Sequence, residues 1–207
     1  EDMQDLNIPT TESDAQKICS TAIVLLQQLN DILDMSKVEA GKMELHIETF
    51  PIMSLMEEVL ALMMPLAKKN ANSLKLDSPS KLGFMCSDRG KLRQILLNLL
   101  GNALKFTKEG EVTLAVTLTT LSGNPGIQFV VADTGIGMTA AVQAKLFQNF
   151  CQADAATTTH YGGTGLGLAI SWSLCTLLGG TIQVKSHPGI GSIFTVHLPT
   201  RLSEQTP

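Results

Sequence analysis

Two asparagines inside one helix constrain the fold of this chain more than any other feature. In the stretch RQILLNLLGNALKF, residues 93–106, Ile95, Leu96, Leu99, Leu100 and Ala103 recur at helical spacing and form a broad apolar face. Asn98 and Asn102 sit within it, four residues apart, so both amides leave the helix on one side, one turn above the other. Asparagine is a mediocre helix former and a buried amide without a partner is costly. Either backbone groups satisfy these amides or a ligand does.

The segments around this helix set its context. Residues 1–12 read as loop. A helix is expected over about 13–38, with Ile18, Ala22, Leu25, Leu29 and Ile32 in the alternating steps of four and three of a coiled-coil seam, widened by Leu26 and Leu33. Gly41 ends that pattern. KMELHIETF alternates Met43, Leu45 and Ile47 against Glu44, His46 and Glu48, which predicts a half-buried strand. Pro51 suits the first position of a helix over 51–69. SLKL and FMCSD are short strands, and Asp88 is a good N-cap for the helix with the two amides. EVTLAVTLTT and IQFVVAD form a hairpin around LSGNPG. A short helix follows over about 139–147, then the polar stretch QADAATTTHYGGTG. TGLGLAISWSLCTLL is a helix closed by Gly179 and Gly180, and TIQVKS and SIFTVHLP form a last hairpin. Interleaved strands and helices predict an α/β fold, a two-layer sandwich of a mixed sheet packed on helices, preceded by the long coiled-coil-like helix.

Composition closes off several function classes. A hydrophobic share of 44% supports a real core, and a net charge of −4 gives no electrostatic support for nucleic-acid binding. Cys19, Cys86, Cys151 and Cys175 lie far apart without metal-ligand spacing, which favours free thiols in a reducing, cytoplasmic setting. No apolar run approaches the ~20 residues of a membrane span, so any membrane attachment would belong to a longer parent protein.

Two further motifs suggest a ligand. In VVADTGIGM, residues 130–138, Asp133 ends an apolar strand and Gly135 and Gly137 keep the backbone bare, so a flat ligand can approach and the carboxylate can accept from an amino group. An ordinary strand-to-turn Asp would look the same. In YGGTGLGLAIS, Gly162, Gly163, Gly165 and Gly167 precede and enter a helix whose free N–H groups suit phosphate. The spacing matches neither a dinucleotide fingerprint nor a Walker loop. Taken with the amide pair and Lys105, these segments describe one nucleotide site. An Asn oxygen is a hard ligand for Mg²⁺ shared with phosphates, Lys105 can reach phosphate from the same side, and Phe106 can lie against adenine.

Four segments in order carry a resemblance to sensor histidine kinases and their Bergerat-type ATP-binding fold. DRGKLRQILLNLLGNALKFTKEG resembles the N box, DTGIGM the first glycine box, LFQNFCQAD the phenylalanine box and GGTGLGLAIS the second glycine box. LNDILDMSKVEAGKMEL resembles the end of the second dimerisation helix and its exit into the catalytic domain. The resemblance implies that residues 13–40 are that helix, 41–200 the catalytic ATP-binding domain and 201–207 a linker. It implies ATP and Mg²⁺ as cofactors, Asn98 as metal ligand, Asn102 as support for metal and phosphates, Lys105 on phosphate and Asp133 on the adenine amino group. Phe106, Ile136, Met138, Thr164, Leu166, Leu168 and Thr195 are expected to line the nucleotide, with Gly135, Gly137, Gly163, Gly165 and Gly167 shaping its turns. Phe147 and Phe150 are expected to anchor a lid over about 139–163. The implied partners are a second copy, paired through residues 13–38 and the missing first dimerisation helix, and a response regulator or fused receiver domain.

In related ATPases of the fold a glutamate stands at the position of Asn98 and activates water. An amide cannot act as a general base, so the resemblance implies ATP held for transfer. The four histidines precede Ile47, Tyr161, Pro188 and Leu198, none in the H-[ED]-x-x-[TN]-P context of a phosphoacceptor. The acceptor is therefore expected outside this chain. The alternative is a catalytically degenerate nucleotide-binding module serving dimerisation or regulation. An aspartic protease reading of the D-T-G leaves the amide pair and the second glycine box unexplained.

Overall fold

The computed structural model describes residues 11–121, 123–147 and 165–202. The chain divides into two compact units, 1–42 and 43–207. The first contains helix α1 (Thr11–Glu39). Lys42 N–H bonds the Lys37 carbonyl and Gly41 adopts φ +64°, so the helix ends where the glycine predicts, in a Schellman-type turn. Ile18, Leu25, Leu26, Leu29, Ile32 and Leu33 are all exposed along it.

In the second unit the elements run β1 (Ile47–Pro51), α2 (Ile52–Lys69), β2 (Ser73–Asp77), β3 (Phe84–Asp88), α3 (Arg89–Phe106), β4 (Glu111–Leu121), β5 (Asn124–Asp133), α4 (Ala140–Gln143), α5 (Gly167–Leu177), β6 (Thr181–His187) and β7 (Gly191–Pro199). Five strands form a mixed sheet in the order β2-β4-β5-β7-β6, with β2 parallel to β4 and the other pairs antiparallel. β1 and β3 pair separately. Helices α2, α3 and α5 lie side by side, α3 in the middle, and cover one face of the large sheet. Strand alternation sends Val112, Leu114, Val116, Phe129, Val131, Phe194 and Val196 into that interface, where they meet Leu55, Val59, Leu92, Leu96, Leu99, Leu100 and Leu174. Each such aliphatic side chain contributes about 1.5–3 kcal/mol by leaving water. The opposite face is polar: Thr117 donates to Gln128, and Gln128 bonds His197.

Asp88 caps α3 as its sequence predicts, accepting from Lys91 N–H at 2.9 Å. The other end of α3 is sealed by Asn70 and Asn72 in the turn after α2. Both amides donate to the Leu104 carbonyl, and Asn72 also to that of Thr107. These bonds satisfy carbonyls that a helix end leaves unpaired.

Three element boundaries differ from expectation. The strand predicted over residues 42–50 starts only at Ile47, with Ile47 exposed and Phe50 buried. Its partner explains the shift. Ile47 pairs with Asp88, where β3 ends and α3 begins, so no strand remains beside the earlier residues, and His46 N–H bonds the Asp88 carboxylate instead. Pro51 ends β1 and caps α2 rather than opening it. The helix expected over 139–147 keeps only one α-turn. Lys145 and Leu146 N–H bond three residues back, and α4 buries no side chain that would reward a longer helix. Among the described residues no helix is long and apolar enough to cross a membrane.

Candidate functional site

Helix α3 runs from one end of the site to the other. At its midpoint the Asn98 amide nitrogen bonds the Gly167 carbonyl at 3.2 Å and Ser171 Oγ at 3.3 Å, both on α5. Ser171 Oγ in turn donates to Gly167 at 2.9 Å. These bonds engage the amide nitrogen, and the oxygen is the atom of this side chain that could ligate a metal. A Cβ on Gly167 would stand 3.6 Å from the Asn98 amide, an ordinary van der Waals contact. The amide helix and the start of the second glycine motif are thereby brought together. Asn102, one turn along, is half-buried. Lys105 and Phe106 end the helix, seven and eight residues, or about 10–12 Å, past Asn98. The Lys105 ammonium lies 4.9 Å from the centroid of the Phe106 ring, and burial holds its pKa below the ordinary lysine value. Phe106, expected against adenine, thus has one face taken by this cation.

The other end of the site is the loop after β5. Asp133 Oδ1 accepts from Gly135 N–H at 2.9 Å and from Ser192 N–H at 3.2 Å. Burial raises its pKa, and these hydrogen bonds pull the other way. Ile136 N–H bonds the Phe106 carbonyl, which joins the loop to the end of α3. The β6–β7 hairpin clamps the far side. Gly189 N–H bonds the Ile136 carbonyl at 2.7 Å, and Met138 N–H bonds Ser186 Oγ at 2.8 Å. Gln143 Nε2 donates to both the Met138 and Ser186 carbonyls. Ser186 Oγ also donates to the Gly191 carbonyl and contacts Ser192 Oγ. Such close contact demands glycine. Gly137 has φ +63°, and a Cβ there would stand 1.9 Å from the His187 carbonyl oxygen.

Ser186, Ser192, Gln143 and Ser171 were not legible as site residues. The only signal for Ser192 was its position after Gly191 at the start of an alternating strand. Thr195, expected on the nucleotide, is placed by the register of β7. Asp133 pairs with Ser192 and Val130 with Thr195, so strand alternation turns Thr195 to the polar face, away from the Asp133 carboxylate. Ser192 N–H stands on Asp133 in its stead. Gly165 adopts φ +72°, Leu166 is buried as the N-cap of α5, and Leu168, Met138 and Phe147 are half-buried. Phe150, Gly163, Thr164 and most of the expected lid lie outside the described residues.

The donor set suits Mg²⁺ in one respect. Mg²⁺ commonly takes one or two protein oxygens and completes its shell with water and substrate phosphates. Asn98 offers one such oxygen, and among the described residues no cluster of three or more His, Cys, Asp or Glu could hold a metal alone.

Comparison with known proteins gives the family. The family model described as "Histidine kinase-, DNA gyrase B-, and HSP90-like ATPase" matches residues 87–202. The chain is 44% identical over 178 residues to the circadian input-output histidine kinase CikA of Synechococcus elongatus, covering 84% of this chain and 23% of that protein. It is 39% identical over 192 residues to the signal transduction histidine-protein kinase BarA of Escherichia coli K12, covering 92% of this chain and 21% of that one. It therefore spans less than a quarter of either relative's length. Among solved structures, full-length ShkA in complex with AMPPNP superposes with a TM-score of 0.78 at 33% identity, over 93% of this chain and 39% of that one.

Proposed function

Because the chain belongs to the histidine kinase-, DNA gyrase B- and HSP90-like ATPase family, we propose that it is the ATP-binding catalytic region of a sensor histidine kinase, acting in the cytoplasm. It holds ATP–Mg²⁺ and donates the γ-phosphoryl group to a histidine carried outside residues 1–207. One observation carries this reading: the Asn98 amide, fixed by its nitrogen to Gly167 and Ser171. An amide oxygen can ligate a metal but cannot take a proton from water, so the side chain favours positioning over hydrolysis. Bound with the triphosphate, Mg²⁺ would neutralise charge on the β- and γ-phosphate oxygens. Asn98 and Asn102 orient the triphosphate, Lys105 adds positive charge, and Asp133 accepts from the adenine amino group. The exposed seam of α1, Ile18 to Leu33, supports pairing with a second copy. A response regulator or fused receiver domain would take the phosphoryl group onward.

Incubation with γ-labelled ATP tests the reading. Alone, the chain should hydrolyse ATP only slowly and carry no acid-labile label. Adding a dimerisation domain that bears an acceptor histidine should yield acid-labile, base-stable phosphohistidine on that domain. Label on His46, His160, His187 or His197 at comparable rates, or rapid release of inorganic phosphate, would overturn it.

A further inference from the structure

Ser171 is a completely buried hydroxyl in the middle of α5, where Ala169, Ile170, Leu174 and Cys175 are buried as packing. Serine is a poorer helix former than alanine, and a hydroxyl that bonds the carbonyl one turn back slightly weakens a helix. Packing alone therefore gives no reason for it. Its hydrogen bonds do. A carbonyl oxygen can only accept, so the 2.9 Å bond from Ser171 Oγ to the Gly167 carbonyl takes up the hydroxyl proton. What Ser171 Oγ presents to Asn98 Nδ2, 3.3 Å away, is then a lone pair. The Gly167 carbonyl presents another to the same nitrogen at 3.2 Å. The Asn98 amide thus faces two acceptors on α5, and its nitrogen carries one proton for each. Turned by half a rotation, the amide would set its oxygen against both and lose both bonds.

We infer that Ser171 is a positioning residue for the metal site: by accepting from the Asn98 amide it fixes which end of that amide points at α5, and so keeps the oxygen available to Mg²⁺. This rests on the reading of Asn98 as a metal ligand. Mg²⁺ takes oxygen ligands, so a flipped Asn98 would turn N–H groups toward the ion and hold nothing. A carboxylate at this position would need no such control, because its two oxygens are alike. Using an amide creates the need for a neighbour that tells nitrogen from oxygen. Ser171 meets that need with a hydroxyl whose own proton is already committed. An amide oriented before the ligand arrives also avoids an ordering cost on binding.

The test is Ser171→Ala, alone and combined with Asn98→Ala, in calorimetric titrations with adenosine, with ATP free of Mg²⁺ and with ATP at saturating Mg²⁺. Ser171→Ala should bind adenosine and Mg²⁺-free ATP as wild type does. Its ATP affinity at saturating Mg²⁺ should fall roughly two- to fivefold, as one of the two bonds that hold the amide is gone. In the Asn98→Ala background the same change should cost nothing further, because the two residues act as one unit. By NMR, both Asn98 side-chain amide protons should exchange slowly in wild type and faster in Ser171→Ala. An unchanged Mg²⁺ titration, an equal loss for adenosine, or a full additional loss in the double variant overturns the inference. Should Ser171→Ala not fold, wild type decides alone: rapid exchange of both Asn98 amide protons refutes the role. A wild type whose ATP affinity ignores Mg²⁺ would instead remove Asn98 from the metal site, and this inference with it.

Discussion

The two ends of the site are built differently. The loop from Asp133 to Met138 is held by backbone and buried serine on every side: by Phe106, by Gly189, by Ser186 and Ser192, and by the Gln143 amide. The Asn98–Lys105 end has half-exposed side chains, and Asn98 is fastened to α5 by its nitrogen. A flat base is the same shape in every encounter, so a rigid slot for it loses nothing and avoids ordering costs on binding. A flexible triphosphate with a hydrated ion brings its own ligands, and long side chains can gather around it. Base recognition should therefore behave as a preformed lock, and phosphate binding as an assembly completed by the ligand.

The largest expected effect comes from breaking the lock itself. Gly137→Ala sets a Cβ 1.9 Å from the His187 carbonyl oxygen at a positive φ. The strain, about 3 kcal/mol, should weaken adenosine and ATP alike by roughly 100-fold and lower the melting temperature. Gly167→Ala at the phosphate end meets only ordinary contact with Asn98, 3.6 Å away. It should fold normally and leave adenosine affinity unchanged. Calorimetric binding of both ligands to both variants makes the comparison, and a severe Gly167→Ala with a mild Gly137→Ala would reverse it.

Next in size is Asp133→Ala. Loss of a charge-assisted hydrogen bond costs about 1.5–3 kcal/mol, so ATP affinity should fall about 10- to 100-fold and the preference for ATP over GTP should largely disappear. Equal wild-type affinity for ATP and GTP would remove Asp133 from its role. Acid adds a second signature. Burial holds the carboxyl above the ordinary Asp value, so the proton returns at a higher pH than in the unfolded chain. The folded state is thus relatively favoured at low pH and loses that advantage as pH rises through the shifted value. Adenine needs the ionised form, so adenosine affinity should decline as pH drops through the same range, and Asp133→Asn should show no such decline. At the alkaline end burial lowers the Lys105 pKa, so triphosphate affinity, but not adenosine affinity, should begin to fall below the usual lysine range.

A smaller, more selective change is expected for Asn98→Ala. It removes the amide oxygen and the bonds to Gly167 and Ser171, a loss of about 1 kcal/mol for binding and less for the fold. Magnesium titration should separate the two ends, because the variant's ATP affinity should lose most of its Mg²⁺ dependence while adenosine binding stays near wild type. Superimposable titration curves would show that Asn98 is not the ligand.

The layered fold, the capped amide helix and both large-sheet hairpins were legible in the sequence because apolar periodicity and Gly, Pro and Asp punctuation act locally. What was not legible depends on pairing over long separations. Met43 and Leu45 alternate like strand residues, yet among the described residues no strand pairs with them, because β3 turns into α3 at Asp88. Asn70 and Asn72 look like ordinary turn residues until the carbonyls of α3 arrive beside them. The motif segments could be recognised one by one, but the serines and Gln143 that hold the loop from Asp133 to Met138 appear only once β6 and β7 are folded against it.

The smallest effects expose that limit most sharply. Along GSIFTVHLP, Ser192 and Thr195 are both small hydroxyl residues in one strand, and composition alone cannot rank them. Register can, because a side chain's face changes with every step, and three steps separate the two. Ser192 is buried, its N–H on Asp133 and its hydroxyl beside Ser186. Thr195 sits on the polar face, its backbone between Val130 and Gln183. Ser192→Ala keeps the backbone bond but leaves Ser186 Oγ one partner short. Adenosine affinity should fall by a few-fold, about 0.5–1 kcal/mol, with amide exchange quickening at Met138 and Gly189. Thr195→Ala should stay within about 0.5 kcal/mol of wild type in both binding and stability. If Thr195→Ala weakens adenosine more than Ser192→Ala does, the nucleotide lies across the open face of the sheet, and the contrast between a locked base end and an assembled phosphate end fails with it.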